Sequence, residues 1–184
     1  AIANGVQLLV LSDRMLSKDT PMMPILLAAS SLHQHLVKTG QRTKVSIIVE
    51  TGEAREVHHF AVLIGYGVDV IYPYLAFATL AKAIEDGHIS YSYEEGVKRY
   101  VKAASEGVVK VMSKVGISTV QSYRGAQIFE AVGINKDVID KYFTGTVSKI
   151  SGIDLSTIAK EALKKHEEAV ESLDRVLPTG SSFQ

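Results

Sequence analysis

Three arginines and three carboxylates, Arg14, Arg55 and Arg124 with Asp13, Glu50 and Glu53, follow directly on apolar runs of the sequence. Arginine beside carboxylate can bind an anion in a fork of N–H donors or can neutralise a neighbouring acid. Both readings stay open from the residues alone. In the first, the six groups neutralise one another across adjacent loops. In the second, they face an anionic ligand or a neighbouring domain. The stretch Ser122-Tyr123-Arg124-Gly125 poses the same question in miniature, because a polar cluster there interrupts two apolar segments.

Other chemistries are poorly served. His33 and His35 are two residues apart on a helical pattern, and His58 and His59 are adjacent. Neither pair has the four-residue spacing that puts two imidazoles on one helical face, so no metal site is expected. His58 or His59, near a helix start, could donate to one of the nearby carboxylates. His88 and His166 read as surface residues. Gly65-Tyr66-Gly67 lies after a helix and before a strand, the reverse of a dinucleotide-binding turn. Ser122 lacks the flanking glycines of a nucleophile elbow. Cysteine is absent, which excludes a disulfide, a thiolate nucleophile and a cysteine-held iron–sulfur cluster in this chain. No catalytic, cofactor-binding or metal-ligating residue is assigned.

The elements that would position these groups read as alternating strands and helices. Val6–Ser12, Lys44–Glu50 and Val68–Tyr72 are rich in branched or aromatic residues, and Ile117–Ser122 is a weaker fourth strand. The first two are apolar on both faces, as in parallel strands covered on each side. Helical spacing runs over 25–37, 56–64 and 74–84. Ser92-x-x-Glu95 has capping-box spacing and opens a long helix to about Lys114. A short helix is expected over 126–132, another over 137–143 behind Asn135, and a last one from Leu155, capped by Asp154, to about Leu173. Strand–helix alternation predicts parallel βαβ units in an α/β fold, forming an open sheet or a partial (β/α) barrel with a helical C-terminal end. A full eight-stranded barrel takes about 250 residues, more than the 184 present. Ligands in such folds gather beyond the carboxyl ends of the strands. On that rule Arg14, Glu50, Glu53, Arg55, Ser122, Tyr123 and Arg124 are expected to share one rim.

Composition narrows the classes further. Lys plus Arg equals Asp plus Glu, 20 against 20, and no basic run occurs, so nothing advertises nucleic acid or an anionic membrane. No apolar run reaches the roughly 20 residues that span a bilayer. A cytoplasmic setting fits.

Long ordered blocks then carry a family resemblance. LSDR at 11–14, LHQHLVKTGQRTKVSIIVETGEAREVHHFAVLIGYG at 32–67, YPYLAF at 72–77, VVKVMSKVGISTVQSYRGAQIFEAVGI at 108–134 and YFTGTVSKISGI at 142–153 resemble the central region of the glutamate synthase large subunit. The resemblance implies an enzyme that makes two glutamates from glutamine, 2-oxoglutarate and reductant. It implies an amidotransferase domain that releases ammonia, a tunnel, and an FMN barrel fed through an iron–sulfur cluster by an NADPH-oxidising small subunit or ferredoxin. It implies that FMN and the cluster belong to domains outside this chain, and a plastid location if the source is a photosynthetic eukaryote. The expected organisation is one α/β domain over 1–176 and a linker over 177–184 toward a flavin domain. The expected role is structural and coupling, with the chain inert alone and the rim near Arg124 packing on the flavin domain or lining the ammonia route. The alternative is a free-standing α/β scaffold or interaction module.

Overall fold

The computed structural model describes residues 1–171. The expected linker over 177–184, and the end of the last helix near Leu173, lie outside the described residues. Three strands, β1 (Leu8–Ser12), β2 (Ser46–Glu50) and β3 (Val70–Tyr72), form a parallel sheet in the order β1-β2-β3. Helices α1 (Ile25–Lys38) and α2 (Val57–Gly65) make the crossovers, and α3 (Tyr74–Glu85) and α4 (Tyr93–Val115) follow. The register aligns Leu9 with Ile47, Leu11 with Val49 and Val49 with Ile71. Alternate residues of a strand point to opposite faces, and these five face the main core. There they meet Ile25, Ala29 and Leu36 of α1, Phe60, Ala61 and Leu63 of α2, and Val108 and Met112 of α4.

Among the described residues nothing covers the other face of the sheet. It carries Leu8, 60% exposed, Val10, 59%, and Val70, 51%, with Ile48 half-buried between them. Consecutive right-handed crossovers in sequential strand order put all their helices on one side. The strands are apolar on both faces, as read from the sequence, but a layer covering the second face is not among the described residues.

Beyond α4 the chain departs from expectation. Ile117–Ser122 is not a strand: Thr119 caps a four-residue helix, α5 (Val120–Tyr123), by accepting from Ser122 N. Residues expected as a helix over 126–132 instead run into a strand, β4 (Glu130–Ile134). Its parallel partner is β5 (Val147–Ile153), which the sequence reading did not anticipate. Between them lies α6 (Lys136–Tyr142), with Asn135 as its cap as expected. The two strands run close: a Cβ on Gly152 would meet the backbone of Gly133. The last helix, α7 (Leu155–Glu171), starts behind Asp154. Asp154 accepts from the Thr157 backbone and from the Ser156 and Thr157 hydroxyls, which holds its carboxyl at about 2.

The two sheets share α1. Leu27 turns from the main core toward a second cluster with Val138, Ile139 and Phe143, and the Ser30 hydroxyl donates to the Tyr142 carbonyl at 2.5 Å. The fold is mixed α/β with parallel strands in open sheets, no closed barrel among the described residues, and a helical end. No described helix is long and apolar enough to cross a membrane.

Candidate functional site

At the carboxyl end of the sheet, the polar residues after β1 and β2 come together as expected. Asp13 is buried and accepts from the Thr51 hydroxyl at 2.5 Å and from Gly52 N at 3.1 Å. Glu50 accepts from the Ser12 hydroxyl at 2.6 Å and from Arg14 at 3.1 Å. Those two bonds, the Ser12 bond first, hold its carboxyl below the ordinary range. The Arg14 guanidinium also lies 5.0 Å from the centre of the Tyr74 ring, a cation–π distance. Burial, and then the Asp13 carboxylate beside it, push the Tyr74 phenol up to about 12. Glu53 accepts from Ile25 N at 2.6 Å, which satisfies one of the orphan amides in the first turn of α1.

Arg55 contributes to this end through its backbone. Its carbonyl accepts from Tyr100 at 2.8 Å, and its N–H donates to His59 Nδ1 at 3.2 Å. His59 also accepts from Glu56 N, while the Glu56 side chain accepts from His59 N, closing a capping box at the start of α2. The ring nitrogen expected to serve a carboxylate serves the backbone instead, and His58 lies edge-on to Phe129. Beside these residues opens a cavity of about 680 Å³, lined by Glu53, Arg55, Tyr74 and a floor of Met22, Leu26 and Leu63.

Ser122, Tyr123 and Arg124 do not join this rim. Arg124 pairs with Asp69, which immediately precedes β3 and whose N–H donates to the Ile47 carbonyl at 2.9 Å. It therefore lies at the amino end of the sheet, opposite Arg14 and Glu53. The reason is the missing fourth strand. Without a strand over 117–122, the stretch 117–129 lies across α2, where Tyr123 is fully buried and donates to the Ala61 carbonyl at 3.0 Å. Gly125 takes φ +69°, a left-handed conformation that glycine adopts at no steric cost, and donates to the Gly65 carbonyl at 2.8 Å. Ser122 completes the cap of α5 with Thr119. The polar stretch between two apolar segments is a docking clasp within the chain.

Sequence reasoning missed the residues that receive Arg124. Asp69 also accepts from Arg42 at 2.8 Å and from Ile47 N at 2.8 Å. Arg42 is nearly saturated: it donates as well to the carbonyls of Val45 and Gly67, each at 2.7 Å, and to His33 Nδ1 at 3.0 Å. His33 thus carries its proton on Nε2. Burial first, then the Arg42 charge, lower its pKa. The one available signal was the carboxylate of Asp69 within the apolar run expected as a strand over 68–72, at its amino end and away from the carboxyl-end rim.

No group of three or more metal-ligating side chains occurs among the described residues. Without cysteine there is no thiolate for an iron–sulfur cluster. The one glycine pair resembling a phosphate loop is closed, because Gly67, at φ +98°, packs directly on the His33 ring.

The glutamate synthase central domain family matches residues 1–135, most of the chain. The chain belongs to this family. Its match covers the whole three-stranded sheet, both charged ends and β4; α6, β5 and α7 lie beyond it. The chain is 62% identical over 185 residues to the glutamate synthase [NADPH] large chain of Bacillus subtilis, covering all of this chain and 12% of that protein. It is 43% identical over 180 residues to the glutamate synthase [NADH] of Saccharomyces cerevisiae, covering 94% of this chain and 8% of that one. It is 43% identical over 175 residues to the chloroplastic/mitochondrial ferredoxin-dependent glutamate synthase 1 of Arabidopsis thaliana, covering 89% and 11%. The central-domain chain thus spans about a tenth of the length of these relatives.

Proposed function

We propose that this chain is the segment of a glutamate synthase large subunit that joins the amidotransferase and FMN domains, shapes part of the ammonia route, and performs no chemical step alone. The observation that carries this reading is the bare apolar face of a parallel sheet. Parallel sheets occur almost only with both faces covered. Leu8, Val10 and Val70 are more than half exposed here, and full burial of such a side chain is worth about 1.5–3 kcal/mol. A sheet built this way needs a second layer from the rest of the polypeptide, and relatives roughly ten times longer have the chain to supply one.

In this reading Arg14, Glu50, Glu53 and Arg55 edge the contact at the carboxyl end, where the Arg14 side chain is still more than half exposed. FMN, the iron–sulfur cluster and the electron donor act through other domains. The relatives' names include NADPH, NADH and ferredoxin, consistent with a segment shared by enzymes that differ in their reductant. The test is Val10→Glu in the full-length enzyme. Glutamine hydrolysis should outrun 2-oxoglutarate consumption, while ammonia-dependent glutamate formation persists. Unchanged coupling and unchanged assembly would reject the role.

A further inference from the structure

The amino end of the sheet holds a charge left unbalanced among the described residues. Two guanidinium groups, Arg42 and Arg124, address one carboxylate, Asp69, and His33 is a neutral acceptor toward Arg42. The count over these four side chains is two positive and one negative. All are drawn in from water: Arg42 is 17% exposed, Asp69 13% and Arg124 31%. The two arginines are not equivalent. Arg42 makes four hydrogen bonds, to His33, Val45, Gly67 and Asp69. Arg124 makes one, to Asp69, and its Nε is buried with no partner among the described residues. Asp69 has little left to give, since it already accepts from Arg42 and Ile47 N on one oxygen and from Arg124 on the other. Beside Arg124, with His33, Arg42 and Asp69 as walls, is an open cavity of about 380 Å³.

We infer that Arg124 is one half of a carboxylate seat: a single carboxylate group enters this cavity and completes the guanidinium that Asp69 only half engages. Arginine presents paired, planar donors that match a carboxylate, and a half-buried cation with unmet N–H groups is unfavourable until such a partner arrives. The charge count selects the class. One negative charge brings the cluster to neutrality. A phosphate monoester, at about −1.5 to −2 near neutral pH, would overshoot beside Asp69. The carboxylate comes from an Asp or Glu side chain elsewhere in the longer polypeptide, or from a free small carboxylate in solution. This site is separate from the bare sheet face and does not depend on the coupling role proposed above.

The experiment is the structure of the full-length polypeptide by electron cryo-microscopy, in chloride buffer and in the same buffer with sodium succinate. A carboxylate oxygen is expected within about 3.2 Å of the Arg124 guanidinium. An Asp or Glu side chain seen there in both buffers identifies the intramolecular source. Density that appears only with succinate identifies the free one. Water or backbone carbonyls alone around Arg124, in both buffers, overturn the inference. A second measurement uses Arg124→Gln, for which the carboxylate should be gone while Arg42 still holds Asp69. Its persistence in that variant would equally overturn the assignment. The wild-type comparison stands even if the variant fails to fold.

Discussion

At the carboxyl end of the three-stranded sheet Arg14 meets Glu50 across 3.1 Å with its side chain more than half in water, whereas at the amino end Asp69 sits between Arg42 and Arg124 with little access to solvent. Both are arginine–carboxylate contacts between neighbouring strands or loops. They differ in what surrounds them. An exposed pair is screened and gains little. A half-buried one is costly to assemble and costlier to break, because removing one partner strands the other in a medium that solvates it poorly. Similar residue types therefore make an adaptable edge at one end and a fixed clasp at the other.

That contrast can be broken most directly at Asp69. Asp69→Asn leaves two guanidinium groups facing each other and should cost about 3–5 kcal/mol, read as a lowered urea midpoint. A loss below about 1 kcal/mol would put both ends on the same footing. Next comes Gly67→Ala, which adds a Cβ that would run into the His33 ring at a backbone φ of +98°. Overpacking and strain together should cost about 2 kcal/mol or more, and the Arg42–His33 contact should loosen in the variant's structure. Tyr123→Phe keeps the ring in the core but removes the hydroxyl's bond to the Ala61 carbonyl, which stays within a turn of α2. A loss of about 1 kcal/mol is expected, with the fold unchanged by circular dichroism.

The clasp should also be visible in pH. His33 titrates below its ordinary value of 6.5 in the folded chain, so the unfolded chain binds more protons in that window. Its contribution is complete above about 6.5 and falls as pH drops from 6.5 toward the lower native value, then levels off. His33→Gln should flatten that part of the stability profile, and an unaltered slope would remove His33 from the account. Smallest of all is Arg14→Ala, for which no resolvable change in urea midpoint is expected. The Glu50 carboxyl, depressed by Ser12 and Arg14, favours the folded chain above its unfolded pKa and loses that contribution as pH falls through the folded one.

The first half of the chain was legible because its signals are local. The branched runs at 6–12, 44–50 and 68–72 form strands two residues shorter, over 8–12, 46–50 and 70–72, and the helical spacing after Pro24 and Ser92 accepting from Glu95 N behave as their residues suggest. The stretch 117–134 was not, because its conformation is decided by partners distant in sequence. Ile117-Ser-Thr-Val reads as a strand until Thr119 turns its side chain back as a cap. The run at 126–132 has few β-branched residues, yet pairing with β5 makes Glu130–Ile134 a strand, as sheet propensity often yields to context. The candidate site followed the same division. The Glu50 partners Ser12 and Arg14 are 38 and 36 positions away, but all three sit at the carboxyl ends of strands, and the general rule about such ends joins them. Asp69 lies 55 positions from Arg124 and 27 from Arg42, and no pattern in one sequence joins those three.

The uncovered face of the three-stranded sheet has a consequence for the life of the polypeptide in a cell. If another domain covers this face, as proposed above, Leu8, Val10 and Val70 would stay in view whenever that domain is late, truncated or misfolded, and adherent oily surface of this kind is what chaperones and proteases sample. The segment would then act as its own inspector, drawing an unfinished subunit toward rescue or degradation and falling silent once the surrounding layers close.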